Sequence, residues 1–421
     1  MQLGPITQCQ SCQASPLQSV LFVGFLPPVN TMPQASQPLN EQPSYPLELV
    51  FCPACSLAQI NFVVRPDLLF PPDYPYTTGT TRILRENFAQ LAEESTALLG
   101  LKTSGLVVDI GSNDGTLLSN FHKRGHPVLG IEPTDKSQLA NAAGIRSWNR
   151  FFNTDCARQV ISDLGRPALV TAANVFAHIP DPVGIVAAIG EMVGDEGVFI
   201  NESHYFLSLV ETLQYDTIYH EHLRYYSLKA MMRLLQTAGL RVFNVKRIPT
   251  HGGSIRVYAS RNPKFVPDES VARQLRAEED FGLHSLPRLR RFAQETFQSK
   301  AGLLTLLGRL RSEGRRIFAI GAPSRASTLV NYCGLDRSLV EAVMEVPGSH
   351  KIGRLMPGSD IPVQNEESLY REQPDYALLF SWHIAEEIIP NLTRKGFNGD
   401  FIVPLPTPRV VVNPGRKQAP A

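Results

Sequence analysis

The sequence predicts an α/β protein in three parts, a small cysteine-rich module followed by two doubly wound parallel sheets. The first part is indicated by two CxxC pairs, "CQSC" and "CPAC". Two later stretches, "GLVVDIGSNDGTLL" and "RRIFAIGAPSRASTLV", each have the order apolar strand, glycine turn, helix, which is typical of nucleotide-binding α/β sheets. We therefore expect domains at residues 1–74, 75–250 and 251–410, followed by a tail at 411–421 whose segment "NPGRKQAPA" is disordered.

The composition indicates a large soluble protein and little more. The chain has 421 residues, of which 43% are hydrophobic, enough to bury a core in each part. Its 40 Lys and Arg residues nearly balance 39 Asp and Glu residues, so neither a nucleic acid nor an anionic membrane is expected as a partner. The apolar run "SVLFVGFL" is too short to span a membrane and has no basic segment before it, which argues against a signal peptide. A cytoplasmic location follows by default. The oligomeric state stays open, with a monomer the simplest case.

Four of the cysteines form two close pairs: Cys9 with Cys12, and Cys52 with Cys55. In a reducing compartment two CxxC turns usually make a tetrahedral thiolate site. The Pro- and Gln-rich stretch between the pairs could hardly form a hydrophobic core unaided, so we expect a bound metal ion to stabilise this module. A redox CxxC is the less favoured alternative, because no βαβ pattern surrounds either pair. Four thiolates leave no open position for water, and the sequence therefore predicts structural rather than catalytic zinc.

The second part begins with the helical pattern "TRILRENFAQLAEESTALLG" and continues into a strand at 106–110, a tight turn at 111–115 and a helix from Thr116 onward. A second strand, "PVLGIE", ends in Glu132. This carboxylate lies about twenty residues beyond the turn, where it can accept both hydroxyls of a ribose. The pattern indicates a cofactor that contains a nucleoside.

The turn itself decides which nucleoside is expected. A dinucleotide site favours GxGxxG, whereas "GSNDGT" lacks the middle glycine and places Asp114 where a pyrophosphate would be repelled. An acidic turn suits a cationic sulfonium with an α-amino group. We therefore expect S-adenosylmethionine, with an NAD(P) site as the weaker alternative.

The rest of this part supplies the carboxyl edge of the sheet. "PALVTAANVFAHIPDP" predicts a strand and its exit loop, with Asn174 and His178 at the edge where open α/β sheets keep their ligands. "GVFINES" predicts the next strand, "LKAMMRLLQTAGL" a helix and "RVFNVKRI" a further strand. Between them lies "TIYHEHLRYYS", residues 217–227, which should line the mouth of the cofactor cleft.

Residues 217–227 are crowded with groups that carry protons. Zinc binding is a poor explanation, because HEH is not HExxH and neighbours two apart do not share a helical face. A surface loop with one hydrogen-bonded histidine is the structural alternative. General acid/base chemistry is favoured, since a histidine beside a carboxylate and phenols has a base, an orienting group and donors to an oxyanion. Periodicity cannot choose between His220 and His222.

The third part repeats the order helix, strand, glycine turn, helix, and further apolar strands follow. The helix N-terminus after "GAPS" could receive a diphosphate, assisted by Ser324 and Arg325. The alternative is that this second sheet is a structural cap.

Short motifs are spread over practically the whole chain, in the order "CQSC", "CPAC", "DIGSNDGTLL", "ANVFAHIPDP", "YHEHLRYYS", "HGGSIRVY", "GAPSRASTLVNYCG", "GRLMPGSDIPV" and "GDFIVPLP". In these motifs and their order the chain resembles the nucleotide-sugar C-methyltransferases of deoxysugar biosynthesis. The resemblance implies a class I, Rossmann-like S-adenosylmethionine methyltransferase domain and a C-terminal Rossmann-like domain that binds the nucleotide sugar. It also implies methylation at C-3 of a 4-keto-6-deoxyhexose carried on a nucleoside diphosphate. Such a reaction needs a base that removes the C-3 proton to give an enolate.

The resemblance also implies roles for individual residues. His222 would be the base, Glu221 would orient it or contact the sugar, and Tyr219 would stabilise the enolate. Tyr76 resembles a family tyrosine that reaches the active site, with Tyr74 as the close competitor, and His178 is a second catalytic candidate.

The expected contacts to the two ligands complete the set. The cofactor would be held by Gly111, Asn113, Asp114, Glu132 and Asn174, with Asp109 orienting the loop. Substrate contacts would come from Ser324, Arg325, Tyr332, Glu345 and Arg354. Family members commonly carry Lys where this chain has Arg325, which leaves the geometry of that contact uncertain.

Two other functions compete with this interpretation. One is O- or N-methylation of a related sugar, which needs no carbon acid, and the other is a non-catalytic zinc-containing binding protein. The sequence does not distinguish thymidine from guanosine in the nucleotide, an amino from a hydroxyl group at C-3, or the stereochemistry of methylation, and it does not identify the end product of the pathway.

Overall fold

The N-terminal module is built around a small antiparallel sheet in the computed structural model, which describes residues 3–38, 40–70, 78–80 and 82–415. In chain order the elements of the module are β1 (Gly4–Pro5), β2 (Gln18–Leu26), β3 (Tyr45–Phe51), β4 (Ala58–Ile60), β5 (Phe62–Val63) and α1 (Pro66–Leu69). Strands β2, β3 and β4 pair in that order, and β1 pairs separately with β5. The segment between β2 and β3 reaches the C-terminal domain, where Gln34 forms a β-bridge with Arg354.

The central domain contains a mixed sheet flanked by helices. Its elements are α2 (Arg82–Leu99), β6 (Val107–Ile110), α3 (Thr116–His122), β7 (Val128–Ile131), α4 (Lys136–Ala142), β8 (Ser147–Trp148), α5 (Thr154–Leu164), β9 (Leu169–Ala173), α6 (Pro182–Val193), β10 (Val198–His204), α7 (Phe206–Glu211), β11 (Arg224–Tyr225), α8 (Leu228–Gln236), β12 (Arg241–Ile248) and β13 (Ser254–Ser260). The strand order is β12-β13-β10-β9-β6-β7-β8. Strands β6 to β10 are parallel, and β13 runs antiparallel between β10 and β12.

The C-terminal domain has a second parallel sheet. Its elements are α9 (Glu269–Asp280), α10 (Leu286–Ser312), β14 (Ile317–Ile320), α11 (Ser324–Cys333), β15 (Ala342–Glu345), β16 (Val363–Asn365), α12 (Glu367–Glu372), β17 (Tyr376–Leu379), α13 (Ala385–Arg394), β18 (Asp400–Val403) and β19 (Arg409–Val411). The strand order is β16-β15-β14-β17-β18-β19, and the strands are parallel except for β19. The predicted α/β class with two doubly wound sheets behind a cysteine module is confirmed.

Two strands lie in sheets that the sequence did not assign to them. Strand β13 follows residue 250, where the expected boundary falls, yet it pairs along its length with β10 and β12 of the central sheet. Strand β11, within the histidine-rich segment, pairs with β4 of the N-terminal sheet. Strand partners are set by contacts distant in sequence, so a local pattern predicts that a strand exists but not where it pairs.

The chain end is also packed further than expected. Asn413 is buried, and its amide group donates to the carbonyl oxygens of Phe397 and Gly399. The prediction of disorder from residue 413 is therefore wrong for Asn413.

The three parts share one apolar core. The larger cluster of buried side chains includes residues of the N-terminal sheet, one face of the central sheet and the C-terminal sheet. The other face of the central sheet packs with α2 and α3 in a separate cluster. Among the described helices, none has the length and apolar character needed to cross a membrane.

Candidate active site and cysteine cluster

The four paired cysteines come together at the edge of the N-terminal sheet. Their sulfur atoms all lie within 4.8 Å of one another, and the Sγ atoms of Cys9 and Cys55 are 3.4 Å apart. Four sulfurs at about 2.3 Å from one zinc ion lie about 3.8 Å from each other in a tetrahedron, so this cluster fits Zn²⁺. A hydrogen bond from Cys55 is the main cause that lowers the pKa of the Cys9 thiol to about 5, which favours the thiolate that a metal requires. The predicted ligand set is confirmed as a cluster.

The glycine turn after β6 is held by the carboxylate at the end of β7. Glu132 accepts the backbone N–H of Asn113 through Oε2 at 2.8 Å and that of Thr134 through Oε1 at 2.9 Å. Gly111 has φ +70°, and a Cβ atom there would lie 2.5 Å from a methyl of Val175. Only glycine fits this position without strain. The turn and Glu132 thus form the close-approach loop that the sequence predicts.

Asp114 and Asp109 are engaged within the protein. Asp114 accepts the backbone N–H of Thr116 two residues on, as in an Asx turn, and that of Gly79 at 2.8 Å. Asp109 accepts a hydrogen bond from the hydroxyl of Thr171 at 2.6 Å. Burial raises the pKa of Asp109 to about 7. Both carboxylates therefore brace the loop and its strand, and contact with a cofactor stays a prediction.

The exit loop of β9 carries Asn174 and His178 to the same edge. Asn174 adopts φ +60°, and its backbone N–H donates to the carbonyl of Glu202 at 2.7 Å. The Nδ1 atom of His178 donates to the main-chain oxygen of Glu221 at 2.7 Å. The carbonyl of Ala177 accepts the N–H of Leu223 at 2.8 Å. These bonds fasten the histidine-rich segment to the cofactor edge of the sheet.

His222 is held in one tautomer. Its Nδ1 lies 2.9 Å from the carbonyl oxygen of Thr217, which can only accept, so Nδ1 carries the proton. Its Nε2 lies 2.9 Å from the hydroxyl of Tyr219 and must accept from it. The ring centroid is 5.0 Å from that of His178. Burial is the main cause that lowers the pKa of His222 well below its ordinary value, and His178 adds to it. The imidazole is therefore neutral, with a lone pair available on Nε2.

His220 points in another direction. Its ring packs edge-on against Tyr45, and its Nε2 donates to the carbonyl of Pro46 at 3.2 Å. The side chain is 1% exposed, and burial lowers its pKa to about 4. Periodicity leaves open whether His220 or His222 is the base. The geometry distinguishes them, because His220 lies in the interface with the N-terminal module.

Glu221 lies where the three parts meet. Its Oε1 accepts the side-chain amide of Asn30 at 2.7 Å, and the Oδ1 of the same Asn30 accepts the hydroxyl of Ser324 at 3.1 Å. Asn30 therefore links the histidine-rich segment to the first residue of α11. Since Thr217 and not the Glu221 carboxylate accepts from Nδ1 of His222, the carbonyl is what orients that ring.

Arg325 forms a buried ion pair in place of an open anion site. Its Nε and Nη2 donate to the two carboxylate oxygens of Asp216, each at 2.8 Å. The indole N–H of Trp382 donates to Asp216 at 2.8 Å, and the guanidinium lies over the Trp382 ring. Arg325 thus joins the C-terminal domain to the segment that precedes His222.

The other predicted substrate residues are spread around the C-terminal domain. Glu345 accepts the backbone N–H of Ala322 at 2.9 Å and so mirrors the loop-holding role of Glu132. Tyr332 lies in the last turn of α11 and packs on Tyr215 with ring centroids 5.1 Å apart. Arg354 donates to the main-chain oxygen of Met32 at 3.0 Å. These three side chains have different partners in the structure, and Tyr74 and Tyr76 lie outside the described residues.

Sequence reasoning missed three side chains at this junction: Asn30, Asp216 and Lys351. Lys351 is close to Glu345 and Glu221, burial lowers its pKa, and its amino group donates to the carbonyl of Ala322 at 2.6 Å. Asn30 lies in a stretch without periodicity, and Lys351 lies in a loop. Only Asp216 had a sequence signal, since it is an acidic residue directly before the histidine-rich segment.

Comparison with known proteins agrees with this architecture. Family models match a zinc binding domain at residues 9–70, a methyltransferase domain at 82–245 and a C-methyltransferase C-terminal domain at 249–406. The C-methyltransferase NovU of Streptomyces niveus is 31% identical over 414 residues, which cover 97% of each chain.

Two solved structures show more distant likenesses. Magnesium protoporphyrin IX methyltransferase from Synechocystis PCC 6803 with bound SAM is 15% identical, with a TM-score of 0.33, over 43% of this chain and 83% of that one. An S-adenosylmethionine-dependent methyltransferase from Clostridium acetobutylicum ATCC 824 is 12% identical, with a TM-score of 0.33, over 44% of this chain and 94% of that one. At these identities and TM-scores the two likenesses say nothing about substrate.

Proposed function

The chain belongs to the family of S-adenosylmethionine-dependent C-methyltransferases, and on that premise we propose that it methylates C-3 of a nucleoside-diphosphate 4-keto-6-deoxyhexose. S-adenosylmethionine, when bound, supplies an electrophilic methyl group. Membership of an enzyme family sets aside the non-catalytic alternative. The observation that carries the proposal is the neutral His222, whose Nδ1 is fixed as a donor and whose Nε2 is free to take a proton in exchange for its bond to Tyr219.

Transfer of a methyl group to carbon demands a carbanion equivalent. A hydrogen on C-3, next to a C-4 ketone, is acidic enough to be removed by a positioned base. In the proposed step Nε2 of His222 takes this proton, and the electron pair of the C–H bond passes into an enolate whose C-3 attacks the methyl group. A base of this kind contributes about 10²- to 10⁴-fold.

Tyr219 supports the same step as a hydrogen-bond donor. Burial raises the pKa of its phenol well above the ordinary value, so the hydroxyl keeps its proton. It donates to His222 in this structure. Once Nε2 takes the C-3 proton it can no longer accept from the phenol, and the hydroxyl would then donate to the C-4 oxygen as negative charge develops there. Donors aimed at a developing oxyanion contribute about 3 to 4 kcal/mol.

The nucleoside diphosphate is assigned to the C-terminal sheet. The N-terminus of α11 faces the active-site segment, since Ser324 and Glu221 share Asn30 as a partner. A helix N-terminus attracts an anion, and Lys351 adds a cation beside the preceding turn. Because Arg325 is paired with Asp216, we assign it a role in fixing α11 and leave direct diphosphate contact to Ser324 and Lys351.

The zinc site stands apart from this chemistry. Four cysteine ligands close the coordination shell, so Cys9, Cys12, Cys52 and Cys55 would hold a structural ion. The branched product would enter the biosynthesis of a deoxysugar, as the family resemblance implies.

The test is exchange of the C-3 hydrogen with solvent. A dTDP-4-keto-6-deoxyhexose is incubated in D₂O with the wild-type protein and S-adenosylhomocysteine, which cannot donate a methyl group, and C-3 is followed by NMR. We expect deuterium at C-3 with wild type and none with His222→Asn. Absence of exchange with wild type, for both the dTDP-sugar and the GDP-sugar, would overturn the proposal. Methyl found on oxygen or nitrogen of the turnover product would do the same.

A further inference from the structure

A buried arginine next to the cysteine cluster has unmade hydrogen bonds. Arg224 is 1% exposed, and its Nη1 donates to the side-chain oxygen of Gln10. Its Nε and Nη2 have no hydrogen-bond partner in the part of the chain that the structure describes. Burial of a guanidinium cation without compensating charge costs several kcal/mol, so the position calls for an anion.

The neighbours of Arg224 place it against the cysteine knuckles. Gln10 lies between Cys9 and Cys12, and its backbone N–H donates to the side chain of Gln59, the strand partner of Arg224. The phenol of Tyr226 lies between both groups. Burial is the main cause that raises its pKa, Arg224 lowers it through its charge and a hydrogen bond, and the Cys9 and Cys55 thiols raise it. Arg224 and the sulfur cluster thus share one buried environment.

A zinc ion in this cluster would be an anionic centre. Four thiolates around one Zn²⁺ leave two net negative charges, and such a centre inside a protein needs donors and a counter-charge. The side chain of Arg224 supplies a charge of the right sign, and its free N–H groups are the kind that bond to ligating sulfur.

We propose that Arg224 is the counter-ion of the zinc tetrathiolate and that through it the metal positions the segment that carries His222. Arg224 and His222 are two residues apart. Strand β11, which contains Arg224, pairs with β4, and β4 follows shortly after Cys55, the last residue of the second CxxC turn. Loss of the metal removes the partner of a buried cation at the point where the active-site segment is attached to the module. Arg224 is therefore a positioning residue, and only the role of His222 in this inference rests on the proposed function.

The chain offers a matched control for this test. Arg233, in α8, donates to the carbonyl of Ala54 in the second knuckle, but its side chain is exposed. Removal of Arg233 takes away one knuckle contact of the same chemical type without removing a buried charge. Arg224→Met, Arg224→Lys and Arg233→Met would therefore be compared with the wild-type protein.

The first readout is the rate at which zinc passes from the full chain to a colorimetric chelator. We expect release at least about tenfold faster in Arg224→Met, the lower end of the range for changes beside a metal's ligands. Arg224→Lys should lie between this variant and wild type, and Arg233→Met should match wild type. Equal release from Arg224→Met and wild type would overturn the assignment of the counter-ion.

The second readout is amide hydrogen exchange over residues 217–227. Both zinc-depleted wild type and zinc-loaded Arg224→Met should exchange faster there, while strand β6 keeps its protection as the reference for global folding. If Arg224→Met fails to fold, the comparison is made with Arg224→Lys. Unchanged exchange over 217–227 after zinc removal would overturn the coupling. Neither readout uses turnover, so a wrong substrate assignment cannot mimic either failure.

Discussion

The imidazole Nε2 of His222 lies 2.9 Å from the phenolic oxygen of Tyr219, and the opposite ring nitrogen donates to the main chain of Thr217. A carbonyl oxygen cannot donate, so this pair of contacts determines which nitrogen holds the proton. The ring therefore presents a basic nitrogen toward a group that stays protonated. That arrangement is what a carbon acid with a neighbouring ketone needs from its site.

His222→Asn should abolish methyl transfer while S-adenosylmethionine still binds. Loss of a general base typically costs about 10²- to 10⁴-fold in rate, and no other described imidazole has a nitrogen in the same position. His220→Asn should leave appreciable activity, because His220 contacts Pro46 rather than the cleft. Turnover by NMR and cofactor affinity by calorimetry check both statements, and the opposite ranking of the two variants would contradict the assignment.

The rate of C-3 exchange should stay constant as the pH falls from 8 toward 6.5. Burial and the neighbouring His178 hold the pKa of His222 well below 6.5, so the ring remains neutral and able to accept a proton over this range. The acid limb should lie below pH 6.5. An exchange rate measured from pH 5 to 8 checks this, and an inflection at or above 6.5 would show that a different group acts as the base.

Stability should fall over the same acid range for a related reason. The pKa of His220 is about 4 in the folded protein, against an ordinary value of 6.5. The unfolded chain therefore binds a proton first as the pH drops, and stability that is fully present above 6.5 is lost down to about 4. His220→Gln should flatten this loss by up to about 1.4 kcal/mol per pH unit. Thermal melting of both proteins at a series of pH values measures the difference, and an equal loss in the variant and wild type would contradict the prediction.

The parts of the fold that the sequence predicts correctly depend on short-range patterns. Two CxxC turns specify four sulfurs, and a glycine turn between a strand and a helix specifies its own shape. The carboxylate of Glu132 could be predicted because its distance from the turn is fixed by one βαβ unit. The cluster Cys9, Cys12, Cys52 and Cys55 and the class of both sheets follow from such patterns.

Other features depend on contacts that no local pattern encodes. Strand β13 is buried along its whole length, and only its pairing shows that it belongs to the central sheet. Arg325 has the sequence signature of an anion site, but its charge is satisfied by Asp216, 109 residues earlier. Asn30 joins two parts of the chain from a segment without any periodic signal.

Gly111→Ala should weaken S-adenosylmethionine binding by at least about tenfold. The position needs φ +70°, and the added methyl would lie 2.5 Å from Val175, so the turn must move away from the edge where the cofactor is expected. Gly144→Ala is the matched control, since Gly144 has φ +80° and open space around it. That variant should lose about 1 kcal/mol of stability and bind the cofactor normally. Equal cofactor affinity in Gly111→Ala and wild type, measured by calorimetry, would remove the turn from the binding site.

Asp216→Asn should destabilise the protein by about 3 to 5 kcal/mol, because it leaves the buried guanidinium of Arg325 without its carboxylate. The double variant Asp216→Asn with Arg325→Met should be more stable than Asp216→Asn alone, since it removes the uncompensated charge while the introduced amide oxygen can still accept from the indole N–H of Trp382.

Urea unfolding followed by Trp fluorescence measures this coupling, and the exposed pair Arg65 and Asp67 is the control, with an unchanged midpoint expected for Asp67→Asn. Additive effects of the two substitutions would mean that the ion pair does not attach the C-terminal domain to the active-site segment. Non-additivity together with a reduced rate of C-3 exchange in Asp216→Asn would show that the second sheet holds the segment that carries His222.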